Sequence, residues 1–75
     1  MSMQEIYSSE QYCKDELLRI RESFGNKNTF NNKTIDASRY SLAYMLLYCP
    51  EEMYNIVLST FNELARREEF LLGIK

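Results

Sequence analysis

One stretch constrains the fold more than any other: Tyr40-Ser41-Leu42-Ala43-Tyr44-Met45-Leu46-Leu47-Tyr48-Cys49, in which nine of ten residues are apolar or aromatic. No other segment of the 75-residue chain carries such a run, and the rest reads as amphipathic or polar. Ten residues are far fewer than the ~20 a helix needs to cross a bilayer. The run is therefore expected to be a helix covered on more than one side. At ~100° per residue, Leu42, Met45, Leu46 and Cys49 collect on one side, with Ile35 in phase. Tyr40, Ala43, Tyr44 and Leu47 collect on the other, with Tyr48 at its edge. The aliphatic face suits a close-packed core. The aromatic face carries hydroxyls that need water or a hydrogen-bond partner.

The segments on either side supply two more helices. Cys13, Leu17, Ile20 and Phe24 are spaced four, three and four apart and form one narrow stripe, which predicts a helix over about 9–24. Glu10 before Lys14 and Asp15 before Arg19 add i,i+4 support of a few tenths of a kcal/mol each. Gly25-Asn26 suits a left-handed cap at its end. Upstream, Ser2 and Glu5 have capping-box spacing, as do Ser8 and Gln11. Ser8 is the preferred cap, because Tyr7 and Tyr12 then take the two positions of a hydrophobic staple. Residues 1–7 read as frayed or as an N-terminal helical extension.

Residues 25–34 have no periodicity, and their four asparagines and one glycine mark a polar loop with Phe30 as its apolar anchor. Thr34 or Asp36 can cap a second helix over about 36–49. Pro50 disfavours helical geometry at Cys49 and fits the first position of a third helix over 50–72. On that helix Met53, Val57, Thr60, Phe61, Leu64 and Leu71 share a face, widened by Ile56, Tyr54 and Leu58. Glu51, Asn55, Ser59, Asn62, Arg66 and Glu69 share the opposite one. Gly73 is a fitting stop. No run alternates strictly and no segment repeats, so the expectation is one all-α domain over 1–75, a small three-helix bundle.

Much chemistry is missing. The chain has no histidine, hence neither the commonest general base nor a Ser-His-Asp or Cys-His arrangement. With two glycines, Gly25 and Gly73, it has no phosphate-cradling loop. Cys13 and Cys49 lie in apolar patterns, with no CxxC pair and no histidine to complete a metal site. The first 24 residues are polar and charged, without the apolar core of a signal peptide. Both cysteines are therefore expected as free thiols in a reducing cytoplasm. These absences argue against an enzyme, a cofactor, a metal or a small-molecule substrate. A net charge of −2 argues against general nucleic-acid binding and against an anionic membrane surface.

A chain this short buries only about 60% of its unfolded surface and needs help. With disulfide and metal set aside, the helper is another chain. In a lone three-helix bundle each helix buries roughly three positions in seven. The central run offers more, so the bundle is expected to be completed by self-association, for which a homodimer is the commonest closed form. The functional expectation is a non-enzymatic, regulatory protein that binds another protein, its own copy or a larger target. The contact residues are Tyr40, Tyr44, Leu47 and Tyr48. The alternative is a nucleic-acid-binding regulator using Lys27, Lys33 and Arg39 on and beside the loop.

Overall fold

The computed structural model describes residues 2–26 and 28–72, with side chains through 68. Lys27 and Gly73, and the side chains of Glu69 and Leu71, lie outside the described residues. In chain order the elements are α1 (Met3–Tyr7), α2 (Glu10–Phe24), α3 (Asn32–Tyr48), a 3-10 turn (Glu51–Met53) and α4 (Tyr54–Leu72). The fold is all-α, as expected, with no strand among the described residues.

Among the described residues four α-helices stand where three were expected, because residues 3–7 form a helix of their own. Ser2 caps α1: its hydroxyl accepts from the Glu5 amide at 3.2 Å. Ser9, not Ser8, caps α2, accepting from the Tyr12 amide at 3.3 Å. Ser8 instead ends α1, its amide bonded to the Gln4 carbonyl at 3.1 Å. The Tyr7–Tyr12 contact forms all the same, edge to face at 5.3 Å.

The loop is shorter than its composition suggests. α3 starts at Asn32 and not near Asp36, because Asn31 and Thr34 form a reciprocal capping box: the Asn31 side chain accepts from the Thr34 amide at 3.1 Å, and the Thr34 hydroxyl accepts from the Asn31 amide at 3.0 Å. Upstream, the amides of Thr29 and Phe30 both donate to the Asn26 carbonyl. Phe30 anchors the turn by meeting Phe24 edge-on at 5.8 Å. The Arg67 guanidinium lies 5.1 Å over the Phe24 ring and donates to the Phe24 carbonyl.

Pro50 also acts one step earlier than expected. Cys49 is extended, the conformation forced on a residue before proline. Pro50 itself is outside the helix, as N-cap of the 3-10 turn, and α4 begins only at Tyr54.

The result is an up-down-up bundle of α2, α3 and α4, with α1 folded against α2 and α3. α3 and α4 run antiparallel, tied near one end by the Arg39–Glu68 ion pair. α2 runs parallel to α4, since Leu17 and Leu18 neighbour Met53 and Ile56 while Phe24 meets Arg67. The core comprises Cys13, Leu17 and Ile20 from α2, Ile35, Leu42 and Met45 from α3, and Met53, Val57 and Leu64 beyond the junction. Tyr7 closes it from α1. Leu46 and Phe61, expected deep in the core, are half-buried at its margin. The buried Thr60 hydroxyl donates to the Ile56 carbonyl at 2.8 Å, and no described buried side-chain nitrogen or oxygen lacks a partner.

Candidate functional site

The aromatic side of α3 does not stay in one piece. Tyr40 and Leu47, seven residues apart on the same stripe, are 71% and 70% exposed, and Ala43 between them is also exposed. Tyr44 is half-buried, stacked on Tyr7 of α1 at 5.6 Å with an interplanar angle of 13°. Tyr48 is half-buried against the core. Of the four residues marked in the sequence, the structure therefore presents Tyr40 and Leu47 to solvent, while Tyr44 and Tyr48 also pack within the chain.

The cover over Tyr44 is held by a polar network that links three helices. The Arg19 guanidinium donates through two nitrogens to the Glu16 carboxylate, at 3.0 and 3.1 Å. The Ser41 hydroxyl donates its proton to the same carboxylate at 3.1 Å. That hydroxyl has only one proton, so its 3.3 Å bond to Tyr7 takes the Tyr7 hydroxyl as donor. Arg19 first, and then Ser41, hold the Glu16 carboxyl below its usual range, against the opposing effect of burial. Tyr7 is thus fixed at both its ring and its hydroxyl.

α4 adds apolar surface that the sequence had assigned to the core face. Tyr54 and Leu58 are exposed, in phase with half-buried Phe61. Charge is absent from two stretches of this pair of helices. After Arg39 no charged side chain occurs on α3, and none occurs from Met53 through Asn62. The two stretches flank the Cys49–Met53 junction, which itself carries the exposed Glu51 and Glu52. A solvent-facing helix normally alternates such an apolar stripe with charge. Here Tyr40 and Leu47 are exposed apolar members of the charge-free stretch of α3, and Tyr54 and Leu58 those of the charge-free first turns of α4.

The remaining candidate groups are engaged or scattered. The Arg39 guanidinium donates to Asp36 at 3.1 Å and to Glu68. Lys33 is exposed. The Cys13 thiol is buried and donates to the Tyr7 carbonyl at 3.0 Å, and burial raises its pKa. Cys49 is half-buried, and burial raises its pKa as well. A nucleophilic thiol needs the opposite shift. Among the described residues no three His, Cys, Asp or Glu side chains gather as a metal site, and no helix is long and apolar enough to cross a membrane.

Searches of protein families, curated proteins and solved structures find no match to this chain.

Proposed function

We propose that this protein acts by binding another protein through the outer face of α3, with Tyr40 and Leu47 as the leading contacts. The observation that carries the reading is the 71% and 70% exposure of Tyr40 and Leu47 on a helix with no charged side chain after Arg39. Interface cores are depleted in charge and enriched in aromatic residues, and tyrosine is among the residues that dominate binding energy. Tyr44 and Tyr48, half-buried on the same side of α3, also pack within the chain.

The test is the double substitution Tyr40→Glu/Leu47→Glu. Both positions are exposed, so helicity and melting temperature should change little. Affinity capture from the native host should recover a protein with the wild-type chain and lose it with the double variant. A partner retained equally by both would make the outer face of α3 ordinary surface.

A further inference from the structure

α1 lies over part of the aromatic side of α3. Tyr44, one turn after Tyr40, is half-buried with the Tyr7 ring stacked on it. The Tyr7 hydroxyl donates to Ser41 at 3.3 Å, and the Tyr7 carbonyl accepts from the Cys13 thiol at 3.0 Å. Tyr7 is the one buried residue of α1. Ile6 is half-buried, while Met3, Gln4 and Glu5 are exposed. A single residue therefore supplies most of the hold on this helix.

The hinge behind α1 is also a single residue. Ser8 already has right-handed helical geometry, with φ −82° and ψ −9°. Only Ser9, at ψ 121°, is extended between α1 and α2. Neither glycine nor proline interrupts the sequence from Met3 to Phe24. Turning Ser9 into the helical region makes α1 a continuation of α2, one helix about 33 Å long. Two features favour that form. The amides of Glu10 and Gln11, in the first turn of α2, have no carbonyl four residues back within it, and in a continuous helix they donate to Ile6 and Tyr7. Ile6 stands seven residues before Cys13, in register with the stripe Cys13, Leu17 and Ile20. Two features oppose it: the Ser9 cap on the Tyr12 amide is lost, and the Tyr7 ring leaves the core. Burial of the ring outweighs hydrogen bonds of modest net worth, so the bent form predominates.

We propose that α1 is an autoinhibitory strap: swung out through Ser9 into line with α2, it bares Tyr44 and joins it to Tyr40 and Leu47 in one aromatic surface for the partner. The inference rests on the outer face of α3 being the binding face. α1 and the partner compete for Tyr44, so apparent affinity scales with the fraction of chains in the open form. A binding partner then selects the open form, and the strap needs no separate trigger.

The test uses two substitutions at exposed Ser9 in the full chain. Ser9→Ala removes the cap and suits a helix interior, so it should raise the open fraction about tenfold. Ser9→Gly keeps most of the capping and disfavours the continuous helix, so it should stay within about twofold of the wild type. Cys13, sealed beneath Tyr7, reports opening through its rate of labelling by a thiol reagent, with both variants still melting cooperatively. Acetylation of Tyr44 by N-acetylimidazole, measured against exposed Tyr40, should rise in step with that rate. The amount of chain that recovers half of the captured protein from native-host extract should fall for Ser9→Ala by the same factor. Unchanged Cys13 and Tyr44 reactivity in Ser9→Ala would overturn the strap. Faster reactivity without tighter capture would overturn its control of binding and leave the α3 face standing. A captured protein that Tyr40→Glu/Leu47→Glu retains would remove the face itself, and the control with it, whatever Cys13 reports.

Discussion

Cys13 and Cys49 share one apolar interior but are held differently. The Cys13 thiol is wholly buried and bonded to the Tyr7 carbonyl, whereas Cys49 sits half-buried at the end of α3. Burial raises both pKa values, which leaves little reactive thiolate at neutral pH. A thiol reagent should therefore label the folded chain slowly, and Cys49 before Cys13, with the order erased in denaturant. Rapid native labelling of Cys13 would show that α1 does not seal it. Glu16 carries a pH dependence of definite sign. Its folded pKa is lowered, chiefly by Arg19, relative to about 4.3 in an unfolded chain. Its contribution to stability is present above the unfolded value and is lost as pH falls through the lower folded one. Urea midpoints measured from neutral pH down through the carboxylate range should fall less steeply for Glu16→Gln than for the wild type. Equal slopes would uncouple Glu16 from folding.

At the scale of elements, the legible parts of the fold were those written in local periodicity. The stripe Cys13, Leu17, Ile20 and Phe24 marked α2, and Cys13, Leu17 and Ile20 are buried. The aliphatic side of α3 was also readable, with Ile35, Leu42 and Met45 buried. Helix starts were harder, because Ser8 competes with Ser9, and Asn31 with Thr34 and Asp36, as caps of similar strength. Geometry decided for Ser9 and Asn31, and Asn31→Ala should cost about 1 kcal/mol, read as a lower urea midpoint. No change would mean that Thr34 or Asp36 can start α3 alone. α1 was not legible as a separate element, since five residues cannot hold a helix in water without tertiary support. That support comes from Tyr44 and Ser41, more than thirty residues away. The same long-range contact is why the aromatic side of α3, one face on a helical wheel, is divided in the folded chain.

For the whole molecule, 75 residues leave a thin margin of stability. Leu42, fully buried, should cost about 2–5 kcal/mol when cut to alanine, enough to depopulate the native state. Half-buried Leu46→Ala should cost clearly less, and equal losses in thermal melts would place Leu46 deeper than it is here. α1 stands apart in this balance. It is held to the bundle by Tyr7, Ile6 and a few hydrogen bonds, so it can release before α2, α3 and α4 separate. That arrangement has an optical consequence. The chain contains no tryptophan, so tyrosine dominates its near-ultraviolet spectrum. Of its six tyrosines, Tyr7, Tyr12 and Tyr44 are clamped ring on ring where α1 docks. Packed rings give a near-ultraviolet circular-dichroism band that vanishes when packing is lost, while the far-ultraviolet signal follows the helices. On warming, the band should fade ahead of the helicity, so the unmodified chain signals the departure of its own first helix without any added label.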